Sequence, residues 1–294
     1  TFMATIFNYI LQHQEDCINK TIAIIVYPMN ALINSQSEEL DRYRLQYENA
    51  TGKECPFTFG KYTGQESQQI RERLQQNPPN IILTNYMMLE LLMTRAGDEQ
   101  SLRDCFLANL HYLVFDELHT YRGMQGSDVS FLIRRIKAQS KNKVYCFGTS
   151  ATMVSDDKLT YKQQREKVAE VAACIFGSTY TNEQVIDETL RLGLSRPNFT
   201  KDEIIQAISS PVPTVLDAEL IMNYPTTNWI EQNIALRYDE VENKYFRGKP
   251  YSVEEIADKL STYINNCIDK DDCTKHIIDV LNWCNDFNIS TKSN

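Results

Sequence analysis

Long apolar runs are missing from this 294-residue chain, and so is a basic segment followed by an apolar stretch and a small-residue cleavage site. Neither a membrane span nor a secretory leader is therefore expected, and the expected compartment is the cytosol. Positive charge is also scarce. Thirty Lys and Arg against 39 Asp and Glu leave a net charge of −9. That excludes a protein that holds nucleic acid by bulk positive charge, so any such binding must be local. The eight cysteines contain no C-x-x-C pair. They read as reduced, mostly buried small hydrophobes, not a disulfide framework. Cys267, Cys273, His276 and Cys284 come nearest to a metal cluster, but their spacing suits a helical core face better than a zinc site.

The composition, 42% hydrophobic and 23% charged, can build a sizeable core, and the length suggests two folded units. Ile22–Tyr27, Phe57–Lys61, Ile81–Thr84, Tyr112–Phe115 and Val144–Phe147 are β-branched or aromatic runs with little polar alternation. Helical periodicity fills 1–15, 30–49, 66–76, 86–95 and 125–139. Apolar strands alternating with helices predict an α/β fold with a parallel sheet covered on both faces. Ligands in such sheets bind beyond the carboxyl ends of the strands.

Two strand ends are chemically unusual. Asp116 and Glu117 follow Tyr112–Phe115, an expensive place for charge unless a cation uses it. A solvated acid pair is the alternative. Gly148-Thr149-Ser150-Ala151-Thr152 follows the next strand. Its small hydroxyl residues could bond to the acids or simply form a turn.

D-E-L-H followed by S-A-T resembles motifs II and III of superfamily 2 helicases of the DEAD/DEAH-box group. Tyr27-Pro28-Met29-Asn30-Ala31-Leu32 is similar to motif Ia. Thr63-Gly64 resembles the motif Ib region, and Thr84-Asn85-Tyr86-Met87-Met88-Leu89 the element after it. Large bacterial helicases share the longer strings Y-T-G-Q (62–65), P-P-x-I-x-L-T-N-Y-x-M-L-E (78–90) and D-E-L-H-x-Y-x-G-x-x-G-x-x-V (116–129). The resemblance implies a RecA-like first motor domain over 1–180, with ATP and Mg²⁺ as cofactors and the DNA or RNA backbone as partner. It implies that Asp116 holds magnesium through water and Glu117 activates the attacking water. His119, Ser150 and Thr152 would couple hydrolysis to movement. Pro28, Met29, Asn30, Thr63, Gly64, Thr84 and Asn85 would contact nucleic acid, in part through helix N-termini, which bind phosphate without net basic charge.

The family's G-x-x-x-x-G-K-[ST] loop is not in this sequence. The expectation is that residue 1 falls inside or just after motif I of a longer gene product. Thr1 would then be the hydroxyl position of that nucleotide-binding motif. The isolated chain is accordingly expected to be inactive. The alternative is a degenerate domain that binds nucleic acid or protein without turnover. A zinc hydrolase on Glu117 and His119 lacks the H-E-x-x-H helix it would need.

Past Thr152 a helix is expected over 161–177. Segments 201–209, 228–238, 252–265 and 273–286 suggest a small α-helical unit, and Ser252 with Glu255 a capping box. By resemblance, 181–294 is an insertion preceding a second RecA-like domain, the partner within the same parent chain. Tyr121, Arg122 and Gly123 could line a nucleic-acid channel or only form a turn. Arg134, Arg135 and Lys137 suit a solvated helix face better than a phosphate site.

Overall fold

The computed structural model describes residues 2–95, 98–121, 123–150, 159–193, 198–240 and 242–292. Two compact units emerge, Thr1–Ile186 and Asp187–Asn294.

The first unit carries a five-stranded parallel sheet of β1 (Ala23–Tyr27), β2 (Phe59–Tyr62), β3 (Ile81–Asn85), β4 (Tyr112–Phe115) and β5 (Tyr145–Gly148), in the order β2-β3-β1-β4-β5. Side chains alternate across it, as the pleat requires. Ile24, Val26, Ile82, Leu113 and Phe115 enter one core; Ala23, Ile25, Ile81, Leu83 and Val114 enter the other. Both faces are thus covered by helices, which is why these strands read as continuous apolar runs. This is the RecA-like α/β architecture that the sequence led us to expect.

Register places the chemistry. Tyr62 pairs with Thr84, Tyr27 with Asn85, Val26 with Phe115, and Phe115 with Gly148. The strands therefore end in line. The segments that follow each of them gather along one edge of the sheet.

Several expectations shift. A helix at Asp98–Leu107 was not anticipated, although Leu102 and Phe106 bury at helical spacing. In the second unit the expected helix over 228–238 breaks up. Pro225–Ile230 is α-helical, Glu231–Ala235 a π turn, and Leu236–Asp239 becomes β6, antiparallel to β7 (Lys244–Arg247). Gly248 explains part of this: a Cβ there would lie 1.8 Å from the Ile234 carbonyl oxygen, so only glycine lets the backbones meet. The remaining core of this unit joins Ile204, Trp229, Leu260 and Ile277. The helix Val253–Tyr263 does start from the Ser252/Glu255 capping box. Among the described residues no helix is long and apolar enough to cross a membrane.

Candidate functional site

β4 runs directly into the acid pair. The Asp116 amide donates to the Val26 carbonyl at 2.9 Å, which holds the residue against β1. Glu117 then turns left-handed, with φ 51°. For a residue other than glycine this costs about 1–2 kcal/mol. The turn continues into the 3₁₀ segment Leu118–Thr120 and leaves the Glu117 side chain 39% exposed. Strain of this kind, held at a strand's carboxyl end, is a common signature of a working site.

Thr149, at the end of β5, ties the pair together. Its hydroxyl donates to Asp116 Oδ1 and accepts from the Glu117 amide at 3.1 Å. Its backbone accepts from the Leu118 amide at 2.7 Å and donates to the Phe115 carbonyl at 3.1 Å. Nδ1 of His119 lies 3.1 Å from Glu117 Oε2 and 3.2 Å from Ser150 Oγ. One ring nitrogen thus joins the acid pair to the next strand's turn. Thr149, which was not among the expected site residues, stands beside Ser150 in the same G-T-S-A-T run. Thr1 and Thr152, also proposed for the site, and Arg122 lie outside the described residues.

Among the described residues no Lys or Arg pairs with Asp116 or Glu117, and His119 is the basic side chain beside Glu117. Two phenols, Tyr27 and Tyr121, bury their hydroxyls without a partner among those residues. Burial first, and then the charge of Asp116, pushes both phenols well above their ordinary range. No cluster of three His, Cys, Asp or Glu among the described residues could hold an ion alone. An acid pair at a strand end with no Lys or Arg partner among the described residues fits a magnesium ion that takes its remaining ligands from water and phosphates.

Beside the acids opens a cleft of about 520 Å³, walled by Pro28, Asn30, Asn85, Tyr86, Thr120 and Tyr121 among others. Two helices begin here, Asn30–Thr51 and Tyr86–Thr94. Asn85 caps the second by accepting from the Met88 amide at 2.8 Å, and its Nδ2 donates to Asn30 Oδ1 at 2.7 Å. Met29, the residue before the first of these helices, is 58% exposed. Pro28, Asn30 and Asn85 are therefore brought together. Thr84 is not with them. It is fully buried, and its hydroxyl donates to the Tyr62 carbonyl at 2.6 Å, so it serves the sheet and offers nothing to a ligand. Thr63 and Gly64 reach the same sheet edge, but their donors are already taken by Glu66.

The basic cluster lies on a partly exposed helix face, as expected, and also bonds within the fold. Arg135 pairs with Glu90, Arg134 bonds the Cys174 carbonyl, and Lys137 donates to the carbonyls of Phe176 and Gly177. The latter two close the C-terminus of the helix Tyr161–Phe176, where carbonyls lack partners. His276 likewise is spent inside the second unit, its Nε2 lying 2.9 Å from Thr226 Oγ1.

Residues 1–159 match the family model described as DEAD/DEAH box helicase. The uncharacterized ATP-dependent helicase MJ1574 of Methanocaldococcus jannaschii is 27% identical over 135 residues, which is 46% of this chain and 18% of that protein. The uncharacterized ATP-dependent helicase YprA of Bacillus subtilis is 33% identical over 120 residues, 39% of this chain and 14% of that one. Among solved structures, the DUF1998 helicase MrfA bound to DNA and AMPPNP aligns with 62% of this chain and 22% of its own, at 22% identity and a TM-score of 0.44. The chain thus spans a small part of the relatives it matches. With more than half of its residues covered by the family model, and with the acid pair and its hydroxyl partners at adjacent strand ends, the chain belongs to the DEAD/DEAH box helicase family.

Proposed function

We propose that this chain contributes the first motor domain of an ATP-driven nucleic-acid translocase, with residues 1–180 as motor and 181–294 as an insertion before a second RecA-like domain. The observation that carries the reading is the arrangement of Asp116, Glu117, Thr149, His119 and Ser150: Thr149 bonds the Asp116 carboxylate and the Glu117 amide, and the His119 ring nitrogen lies 3.1 Å from Glu117 Oε2 and 3.2 Å from Ser150 Oγ. It joins the place where a nucleotide's charge would be managed to the turn after the neighbouring strand. When bound, magnesium and ATP supply charge neutralisation and the γ-phosphoryl electrophile.

Asp116 would hold the ion through water, with the carboxylate oriented by the Thr149 hydroxyl. Glu117 would orient the attacking water and accept its proton. His119, 3.1 Å from its Oε2, would steady it. A movement of Ser150 would then reach Glu117 through one imidazole ring. Pro28, Met29, Asn30 and Asn85 would grip the sugar–phosphate backbone at the two helix N-termini, where free amides and the helix dipole favour anions. Such a grip is compatible with a net charge of −9.

The sequence contains no G-x-x-x-x-G-K-[ST], so the lysine and backbone cradle for the phosphates would have to come from outside these residues. We expect the isolated chain to hydrolyse no ATP. In the longest reading frame containing it, Glu117→Gln should lower kcat by about 10²–10⁴-fold while nucleotide binding persists. Unchanged turnover in that variant would defeat the assignment.

A further inference from the structure

Asp116 lies between two strands that each carry a hydroxyl. From the end of β5, Thr149 donates to Asp116 Oδ1, while Oδ2 has no partner among the described residues. From the end of β1 comes Tyr27. Val26 stands opposite Phe115 in the ladder, and its carbonyl accepts from the Asp116 amide at 2.9 Å, so Tyr27 is the β1 residue beside Asp116. The pleat sets the two on one face of the sheet. Tyr27 buries in the core that also takes Ile25 and Val114, and Asp116 follows Val114 by two residues. Tyr121, the other phenol whose hydroxyl lacks a partner, packs on Phe115 in the opposite core.

The oxygen of Tyr27 has no use inside the fold. The residue is 1% exposed, and its hydroxyl meets neither solvent nor any hydrogen-bond partner among the described residues. Buried tyrosines ordinarily give their O–H a partner, because a stranded donor forfeits its hydration and gets nothing in return. Phenylalanine would fill the same space without that loss, so packing alone does not call for tyrosine. The charge of Asp116 reaches this phenol and adds to the upward push of burial. A donor without an acceptor thus stands next to a carboxylate with one oxygen unbonded.

We propose that Tyr27 is a positioning residue for magnesium: with the ion in place its hydroxyl donates to Asp116 Oδ2, so that Thr149 and Tyr27 fix the carboxylate from the two neighbouring strands. This rests on the motor reading given above. Each carboxylate oxygen accepts two hydrogen bonds, so both oxygens keep a site for the ion's water shell. The bond is made only in the loaded state, and its whole worth therefore appears in the affinity for the ion.

The test compares wild type with Tyr27→Phe. In the longest reading frame containing the chain, binding of a fluorescent, non-hydrolysable ATP analogue is measured in EDTA and in magnesium. The variant should match wild type in EDTA and bind about tenfold more weakly in magnesium, the effect of one hydrogen bond to a charged group. With 3-fluorotyrosine incorporated, the fluorine resonance that Tyr27→Phe removes should shift in wild type when magnesium is added to the nucleotide complex. In the isolated chain, circular dichroism should show Tyr27→Phe melting at or above the wild-type temperature, since the free fold loses no bond. A variant that melts lower or does not fold would show the hydroxyl bonded within the fold and would overturn the proposal. A magnesium-dependent gain in affinity that the variant shares in full would overturn it as well, leaving the motor reading intact. No gain from magnesium in wild type would sink the motor reading and the role of Tyr27 together.

Discussion

Replacing Thr149 by valine removes one hydroxyl and keeps the shape, so it isolates the link between the acid pair and β5. Two hydrogen bonds go with it, one to the Asp116 carboxylate and one from the Glu117 amide. Net contributions of about 1.5–3 kcal/mol for the bond to a charged group and about 0.5–1.5 for the neutral one set the upper range. Both residues are only partly buried, so water recovers some of the loss, and about 2 kcal/mol is the expected cost. For a unit of this size that lowers the melting temperature by about 4–8 °C. The assay has an internal control. Both tryptophans, Trp229 and Trp283, belong to the second unit, so tryptophan fluorescence follows that unit while far-ultraviolet circular dichroism follows both. Thr149→Val should lower the first dichroism transition and leave the fluorescence transition in place, and Thr149→Ser should behave as wild type. A valine variant that melts like wild type would refute the reasoning, because the hydroxyl would then carry none of the connection described.

Two other expectations follow from burial. His276 is held neutral, its pKa lowered chiefly by burial against the weaker opposing pull of Asp279, with Thr226 and the Tyr224 ring as its other neighbours. The unfolded chain therefore takes up the proton more readily than the folded one. The stability this residue contributes is present above its unfolded value of 6.5 and is lost as pH falls below it. Urea unfolding followed by tryptophan fluorescence should show a weaker second unit at about pH 5 than at about pH 7, and a His276→Gln variant should flatten that difference. A midpoint that does not change with pH in wild type would count against it. Burial also pushes the Cys146 thiol up to about 11, with Lys137 offsetting part of the effect. Alkylation followed by mass spectrometry should label the exposed Cys174 and Cys267 in the native protein and spare Cys146 until the first unit unfolds. Equal native rates at Cys146 and Cys174 would contradict the packing around β5.

Local patterns were legible where the physics is local. The strands could be found because residues buried on both faces of a sheet must be apolar, and their observed ends moved by no more than a residue or two, as when the run at Phe57 paired only from Phe59. The capping box at Ser252 was readable because its donor and acceptor are three residues apart. The segment 228–238 was not. Its apolar spacing is helical, yet Leu236–Asp239 pairs with Lys244–Arg247, and that pairing depends on the close approach at Gly248.

By itself the sequence determined the family resemblance, the parallel sheet and the position of Asp116 and Glu117 at a strand's end. Those follow from residue order and short-range periodicity. Only the tertiary structure decided which hydroxyl serves the acids and where the other donors go. Thr149 reaches Asp116 because β4 and β5 pair with Phe115 opposite Gly148. Thr84, equally polar and equally near a strand's end, points its hydroxyl back into the sheet. The amides of Thr63 and Gly64 are closed off by a carboxylate that their own turn brings around. A hydrogen bond is made by whichever partner the register and the turn bring within reach, and linear residue order does not encode that distance.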